Sequence, residues 1–401
     1  MTNTENQPHP KRHCMIVHAY YPLGETRVER EAQALIQNGY EVEVVCLLHS
    51  SDKLNEEIVD DVHVYRLPVR RNKQRGAFGQ LFEYLSFFFL ALVKVTSLHQ
   101  KRSFGTVQAH NLPNFLVFAA LWPKLTGARV LLDIHDIMPE FFAMRFNLDM
   151  KSLLARLVLL EERVSCWFAD KVIIATHRWR NTLISRGVKA EKISVVLNLA
   201  DERLFKNEES PRHRHDIDGF KIIYHGTITR RYGVDAAIKA VDILKDRVPG
   251  IQLILVGAGE YRDGAEELVN QLGLQGKVTF MNPVVSSELP ALLTQADIGV
   301  TAYRIDGFTE GCLPTKLLEY SAMGIPTVAA RTPIIDDYFS DESIEFCQPG
   351  NVEDLAEHIY RLYNDPTRFN EIAENLNDFN QKYNWRNQAA EYARLIDSLQ
   401  Y

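Results

Sequence analysis

Short apolar runs alternate along this chain with amphipathic stretches, and polar or glycine-containing loops separate them. Residues 15–17 and 42–47 have the character of buried strands, and the segment between them carries apolar residues at helical spacing. These are Val28, Ala32, Leu35 and Ile36. A repeated order of strand, loop and helix predicts a parallel sheet covered by helices. The same alternation restarts at residues 220–224, so the pattern predicts an α/β fold with two Rossmann-like, doubly wound domains.

The length of the chain supports this division. A chain of 401 residues is long for one core and natural for two domains. Residues 206–218 are polar, include Pro211 and read as a linker. We predict a disordered lead-in over residues 1–12, an N-terminal domain over 13–203, a C-terminal domain over 204–384 and a terminal helix over 385–401.

Composition excludes several classes of protein. A formal net charge of −7 argues against nucleic-acid binding driven by counterion release. The five cysteines lack the spacing of a disulfide framework or a zinc site, which favours a reducing cytoplasm and no metal. No apolar run reaches the ~18 residues that span a bilayer.

The segment from Leu313 to Pro326 is the strongest candidate for chemistry. It follows the apolar run 298–303, and it predicts a short helix with Pro314 in its first turn and Gly324 at its end. A helix that opens after a buried strand directs free amides and a positive dipole end toward an anion. Lys316 and Glu319 would then suit the pyrophosphate and the ribose of a nucleotide, although a solvated helix face is the alternative.

Two glycine-containing loops support this interpretation. Gly226 follows a predicted strand and would let a phosphate approach the backbone, and Arg231 in the same loop could bind phosphate oxygens. A second loop begins at Gly257, but Arg262 occupies the place of the third glycine in a dinucleotide fingerprint. A hydride-transferring NAD enzyme is therefore disfavoured.

Two features of the N-terminal half leave alternatives open. His110 and His135 each end a predicted strand, where ligands meet a parallel sheet, and local chemistry does not separate them. Residues 70–75 are basic, and residues 81–93 are apolar on nearly every side. Burial of the apolar helix is the favoured interpretation. Contact of residues 70–93 with a membrane surface or a lipid acceptor is the alternative.

The segment around Lys316 and Glu319 resembles the C-terminal signature of the group 1 (family four) retaining glycosyltransferases with the GT-B fold. The resemblance implies two domains that face each other across a cleft, with the terminal helix crossing back to the first. In that family two glutamates eight positions apart bracket the sugar nucleotide. Glu319 matches the second glutamate, but Gly311 stands at the position of the first, and Asp306 and Glu310 are the nearby carboxylates.

The resemblance also implies roles for individual residues. Residues 135–140 look like a family motif whose histidine contacts the donor sugar, which favours His135 over His110. We assign His135, Arg231 and Lys316 to catalysis and Gly24, Arg27 and His110 to the acceptor side. The donor-binding candidates are Gly226, Gly257, Val284, Tyr303, Glu310, Leu313, Pro314, Thr315, Leu317 and Glu319.

The activity implied is transfer of a sugar from a UDP- or GDP-linked donor to a glycan or lipid-linked acceptor in bacterial polysaccharide or glycolipid assembly. The sequence shows no pair of carboxylates suited to double displacement, so we favour front-face substitution with retained configuration. We expect that the reaction needs no metal and no cofactor. A cytoplasmic protein, either soluble or peripheral at the inner membrane face, is expected. A sugar-nucleotide epimerase and a catalytically silent nucleotide-binding scaffold remain alternatives.

Overall fold

The computed structural model describes residues 11–22, 25–50, 52, 54–72, 76–146, 148–206 and 219–400. The chain forms two compact units, one of residues 1–198 with 387–401 and one of residues 199–386. The division thus falls slightly before the boundary expected at 203/204. Residues 11 and 12 belong to the first strand, so the predicted lead-in was wrong for them. Its remaining part, and most of the predicted linker, lie outside the described residues.

Within its described residues, the first unit contains eight strands. They are β1 (Lys11–Val17), β2 (Tyr40–Leu47), β3 (Glu56–Val59), β4 (Val62–Leu67), β5 (Thr106–His110), β6 (Arg129–Ile134), β7 (Lys171–Ile174) and β8 (Ile193–Val195). The helices are α1 (Thr26–Gln37), α2 (Ala77–Arg102), α3 (Leu121–Leu125), α4 (Met138–Arg145), α5 (Leu153–Phe168) and α6 (His177–Ser185), with 3₁₀ helices at Asn114–Ala120 and Ala190–Lys192.

The strand order of this unit explains where its polar residues gather. The sheet runs β3-β4-β2-β1-β5-β6-β7-β8, and every neighbouring pair except β3 and β4 is parallel. The chain leaves β1 toward β2 on one side and returns to β5 on the other. The order of strands therefore reverses between β1 and β5, and the carboxyl ends there form the usual ligand-binding edge of an open α/β sheet.

The long helix α2 is half-buried, so the expectation that it is buried on all sides was wrong. Phe87, Ala91 and Val95 pack into the core cluster that also holds residues of the 3₁₀ helix Asn114–Ala120 and of α5. The opposite side of α2 exposes large apolar residues, including Phe78 and Phe82. Within the described chain, Phe78–Arg102 is the helix that meets the length and hydropathy of a membrane span, a test that core helices of soluble proteins also meet.

The part of the second unit that the structure describes contains six strands. They are β9 (Phe220–His225), β10 (Ile251–Val256), β11 (Val278–Met281), β12 (Ile298–Thr301), β13 (Thr327–Ala330) and β14 (Glu345–Cys347). A 3₁₀ helix covers Arg230–Tyr232, and the helices are α7 (Val234–Leu244), α8 (Arg262–Gln271), α9 (Leu289–Leu293), α10 (Thr315–Ala322), α11 (Pro333–Asp336), α12 (Val352–Asn364) and α13 (Pro366–Lys382). The last helix, α14 (Trp385–Asp397), joins the first unit from Asn387 onward.

All six strands of the second sheet are parallel, in the order β11-β10-β9-β12-β13-β14. Here the order reverses between β9 and β12. With the first sheet, this confirms the predicted class of two parallel α/β domains. The segments that follow β9 and β12 contain the glycine loop and the approach to α10, so the topology brings the predicted nucleotide residues to one sheet edge.

Candidate functional site

The N-terminus of α10 lies at the carboxyl edge of the second sheet. Pro314 precedes the helix as its N-cap, with φ −65° and ψ 120°, and is not in the first turn as predicted. The Leu317 amide donates to the Pro314 carbonyl at 3.0 Å. No described residue accepts a hydrogen bond from the amides of Thr315 and Lys316. These amides and the helix dipole therefore form a positive end suited to an anion.

Lys316 is the most unusual side chain of this edge. It is 4% exposed, and within the described parts of the chain its Nζ has no hydrogen-bond partner. Its Nζ lies 3.5 Å from the ring centroid of Tyr224, 5.6 Å from that of Tyr232 and 5.7 Å from that of Tyr303. Ring faces attract a cation but do not replace hydrogen-bond acceptors, so the ammonium group is left without the anion that a buried charge requires.

Burial lowers the pKa of the Lys316 side chain. Desolvation holds the pKa of Lys316 well below its ordinary value, while Glu319 and Cys312 oppose the shift. A diphosphate beside Nζ would supply the missing counter-charge and raise the pKa again. The site is therefore arranged so that an incoming anion stabilises the charged form of the lysine.

Gly226 lies beside the lysine head group. A Cβ added at Gly226 would lie 3.6 Å from Cε and 3.7 Å from Nζ of Lys316, and the residue has a φ of +105° that favours glycine. Its amide donates to the Val256 carbonyl at 2.9 Å. This amide is therefore already paired within the protein, and the close approach of a phosphate to the Gly226 backbone stays a prediction.

Gly257 has a packing role. Its amide donates to the Met281 carbonyl at 3.1 Å, and a Cβ at this position would lie 1.9 Å from the carbonyl oxygen of Gly226. Only a residue without a side chain allows the two loops to approach so closely. Gly257 thus supports the loop of Gly226 and does not offer its own amide to a ligand.

Glu319 lies one helical turn beyond Lys316. Its Oε2 is 3.2 Å from Nε2 of His225, and the carboxylate side chain is 21% exposed. Burial and then the nearby Lys316 lower the pKa of His225 to about 3, so this imidazole is neutral at pH 7. Glu319 is consequently held beside a neutral partner and retains accessible oxygen surface with which to accept hydrogen bonds from a diol.

Arg231 is oriented by an ion pair. Its Nη1 lies 2.7 Å from Oδ2 of Asp306, and the other carboxylate oxygen of Asp306 accepts the amides of Phe308 and Thr309 at 2.9 Å each. Asp306 is therefore already engaged by Arg231 and by two amides of its own loop. Glu310 is exposed, and its amide donates to the Asp306 carbonyl at 3.0 Å.

The other donor candidates fall into two groups. Tyr303 is buried and stacks on Tyr232 with ring centroids 4.4 Å apart, so it forms part of the enclosure around Lys316. Leu317 is fully buried in the core and Leu313 is nearly so, whereas Thr315 is exposed. Val284 packs against the core cluster near Met281.

The first unit holds a second cluster, built around Asp133 of β6. Arg27 of α1 donates to this carboxylate through Nε at 3.0 Å and Nη2 at 2.9 Å. It also contacts Glu31 at 3.1 Å and donates to the Val196 carbonyl at 2.8 Å. The guanidinium is 2% exposed, so the structure places Arg27 in the interior and not on an acceptor-facing surface. Gly24, the other acceptor-side glycine, lies outside the described residues.

His110 and His135 meet at this cluster. Nδ1 of His110 lies 3.1 Å from Nε2 of His135 and 3.1 Å from Oδ2 of Asp133. Burial lowers the pKa of His135, but Asp133 and Glu25 outweigh it and raise the value to about 10. Burial lowers the pKa of His110. His135 is therefore the charged imidazole of the pair and His110 the neutral one.

The same three residues are close enough to be considered as metal ligands. The ligand atoms of His110, Asp133 and His135 lie within 4.8 Å of one another. Asp133, however, already accepts two hydrogen bonds from Arg27, which places a cation against the carboxylate that a metal would need. The cluster fits a hydrogen-bonded network better than a metal centre.

The sequence prediction missed the partners that organise both clusters. Asp133 lies in β6 two residues before His135, which directly follows the strand, and a period-2 spacing directs both side chains to one side of the sheet. The spacing in the sequence could therefore have predicted that Asp133 and His135 lie close together. The bond from Tyr392 of α14 to Gln108, at 2.7 Å, joins residues 284 positions apart and had no local signal.

Comparison with known proteins identifies the family. A model described as glycosyl transferases group 1 matches residues 205–383, and one described as glycosyl transferase 4-like domain matches residues 24–198. The chain belongs to the group 1 glycosyltransferases. It is thus a glycosyltransferase, and the comparisons do not favour the epimerase or silent-scaffold alternatives.

Curated relatives of this glycosyltransferase are distant. One subunit of the human phosphatidylinositol N-acetylglucosaminyltransferase is 23% identical over 392 residues, which are 96% of this chain and 75% of the relative. The chitobiosyldiphosphodolichol beta-mannosyltransferase of Candida albicans is 23% identical over 361 residues, which are 82% of this chain and 77% of the relative.

Solved structures agree in fold. A sucrose-phosphate synthase from Thermosynechococcus elongatus has a TM-score of 0.77 at 18% identity, over 97% of this chain and 99% of the other. Anabaena HepE in complex with UDP and glucose has a TM-score of 0.71 at 17% identity, over 97% and 100%. These likenesses confirm the GT-B fold class.

Proposed function

We propose that this glycosyltransferase retains the configuration of the transferred sugar, requires no metal and uses a UDP- or GDP-linked donor. The observation that carries the proposal is the buried ammonium group of Lys316. It lies at the start of α10, beside Gly226, without a hydrogen-bond partner among the described residues. A diphosphate leaving group is the anion that suits a lysine, two free helix amides and a dipole end together.

The chemistry follows from these groups. As the bond between the anomeric carbon and the phosphate oxygen breaks, the acceptor oxygen bonds to the same face of that carbon, and its proton passes to the leaving phosphate. Lys316 and Arg231 stabilise the charge that develops on the phosphate. Because these side chains and the helix dipole provide positive charge, a divalent cation is not needed for that role.

Two further roles belong to the proposal. Glu319 binds the ribose diol through its accessible carboxylate, whose inner side faces neutral His225. His135, held as an imidazolium by Asp133 and Glu25, donates a hydrogen bond to the donor sugar. A cation is a stronger hydrogen-bond donor than a neutral imidazole, so the network strengthens this contact.

The acceptor in this proposal is lipid-linked or a growing glycan, in polysaccharide or glycolipid assembly. Two relatives carry names that refer to phosphatidylinositol and to a diphosphodolichol. A lipid-linked acceptor agrees with peripheral contact at a membrane face through residues 70–93. The long half-buried α2, with its exposed apolar side, supports that assignment.

Product analysis tests the proposal. The protein is screened by thermal shift against UDP-, GDP- and ADP-sugars, because a ligand of the folded state raises the midpoint. The stabilising donor is then supplied with lipid-extract acceptors, and the anomeric configuration of the product is read by NMR. We expect retained configuration and unchanged rates in EDTA. An inverted product, or activity that EDTA abolishes and Mg²⁺ restores, would refute the corresponding part.

A further inference from the structure

Two other helices of the first unit also expose apolar residues and pack on the same 3₁₀ helix as α2. Both α2 and α5 pack on the 3₁₀ helix Asn114–Ala120, and α3 packs on that helix and on α2. The exposed apolar residues of α2 include Phe78, Leu81, Phe82, Phe89, Leu90 and Val93. Those of α5 are Leu153, Leu154, Leu157, Leu160, Val164 and Trp167. We call these residues, with Leu121, Trp122 and Leu125 of α3, the apolar face.

This face is unusual for a surface in contact with water. Phe78 is 90% exposed, Phe82 is 71% exposed and Trp167 is 78% exposed. Single exposed apolar residues are common, but many large ones on three helices that pack on one 3₁₀ helix indicate an interaction site. The core-facing sides of the same helices are occupied, since Phe87 and Ala91 of α2 and Cys166 and Phe168 of α5 lie in the shared core cluster.

The charges around the face indicate what covers it. Between Phe78 and Val93 the one charged side chain is Glu83, which is buried and accepts the Asn72 amide at 3.0 Å. Within α5 the exposed charged residues are Arg156 and Arg163, whereas Glu162 is buried against Arg186. Glu161, the other acid of α5, is part-buried and accepts a hydrogen bond from Asn114 at 3.0 Å. The fully exposed charges of these two segments are therefore basic.

We propose that the apolar face embeds in the interfacial region of a lipid bilayer rich in anionic lipid, with α5 and α3 contributing as well as α2. Apolar side chains would enter the acyl boundary, exposed arginines would meet anionic head groups, and Trp167 would lie at the interface that suits an amphipathic ring.

Vesicle co-sedimentation tests this surface. Wild-type protein is mixed with phosphatidylcholine vesicles with and without phosphatidylglycerol, and strong binding is expected with the anionic vesicles. Two double variants are compared with wild type: one of α2 (Phe82→Gln with Phe89→Gln) and one of α5 (Leu157→Gln with Leu160→Gln). Each should lower the vesicle partition coefficient by about tenfold or more, because each removes apolar area from the contact. The matched controls Ile58→Gln and Ile243→Gln alter exposed apolar residues elsewhere and should bind like wild type.

Three results would overturn the proposal. The first is that the wild-type protein binds neither kind of vesicle, and the second is that the double variant of α5 binds like wild type. The third is that Arg156→Glu binds anionic vesicles as strongly as the control Lys239→Glu, which should bind like wild type. Circular dichroism establishes that each variant is folded. If sedimentation instead required a second protein, vesicles alone would fail to bind, and the bilayer would be excluded.

Tryptophan fluorescence gives an independent readout. Brominated lipid should quench wild-type fluorescence, and Trp167→Phe should lose a large part of that quenching while still binding. Quenching unaffected by this change would place Trp167 outside the bilayer and contradict the geometry.

The proposal deepens the function proposed above, but the two can be tested separately. Donor binding measured without vesicles should be unchanged in the pair variants, and loss of donor binding with retained vesicle binding would concern the transferase proposal alone.

Discussion

The two units each bury a cation, and the two cations have opposite surroundings. Arg27 in the first unit is 2% exposed and is bonded by Asp133, Glu31 and the Val196 carbonyl. Lys316 in the second unit is 4% exposed and is enclosed by tyrosine rings, with no hydrogen-bond partner among the residues the structure describes. Both were predicted from the sequence to serve ligands.

The difference separates a structural charge from a binding charge. A buried ion is tolerated when its hydrogen-bonding groups are satisfied, and Arg27 meets that condition inside the protein. Lys316 does not, so its environment favours an anion from outside. Position at a strand or helix end does not distinguish the two cases, but the count of internal partners does.

The largest expected effect is on stability, from Arg27→Met. The change removes the guanidinium that pairs with buried Asp133 and Glu31, and breaking a buried ion pair from one side costs about 3–5 kcal/mol. The free energy of unfolding is measured in urea, with the exposed Arg129→Met as control and a change within about 0.5 kcal/mol expected there. Native stability in Arg27→Met would show that Asp133 does not depend on this cation.

Lys316→Met should give the reverse result. Because the ammonium has no internal acceptor among the described residues, its loss should leave stability unchanged or raise it. The value of kcat/KM should fall roughly 100-fold or more, as expected when a group that stabilises a leaving anion is removed. The exposed Lys239→Met is the matched control and should keep full activity. A destabilised Lys316→Met variant with normal turnover would reverse the comparison.

The period of apolar residues was sufficient to predict the fold class. Strands such as 42–47 and helix faces such as that of Val28 and Leu35 lie within β2 and α1. Patterns could not show which side of α2 meets water, because its apolar residues surround the helix and periodicity has no polar side to mark. The neighbouring 3₁₀ helix decides which residues are buried.

The candidate site was predicted in part. Lys316, Gly226 and Tyr303 do gather at one sheet edge, since strand order places their loops together. The sequence could not show that Arg27 has its partners inside the protein, because Asp133 is 106 positions away. Long-range pairings of this kind depend on topology and carry no local pattern.

The pH behaviour of His135 sharpens the comparison at the first cluster. Its pKa is raised from 6.5 to about 10, so its charge stabilises the fold fully below about 6.5, and this contribution is lost as the pH rises through 10. An NMR titration of the imidazole protons should show His135 still charged at pH 8. Glu25→Gln should lower its pKa moderately, and Asp133→Asn should lower it further. Titration near 6.5 in wild type would remove the proposed imidazolium.

Glu319→Gln should have the smallest effect. The amide keeps one oxygen for the ribose diol but loses the negative charge that strengthens hydrogen bonds from its hydroxyl groups, so affinity for the free nucleoside diphosphate should fall about tenfold. Calorimetry measures this loss of affinity.

Glu319→Gln also removes the carboxylate that partly offsets the effect of burial on Lys316, which should lower the pKa of Lys316 further. Binding of the variant should therefore weaken more steeply with rising pH than binding of wild type. If wild type bound ribose and deoxyribose nucleotides with equal affinity, the contact with the diol would be contradicted. If Glu319→Gln lost the same affinity for both nucleotides, Glu319 would act only through the charge of Lys316.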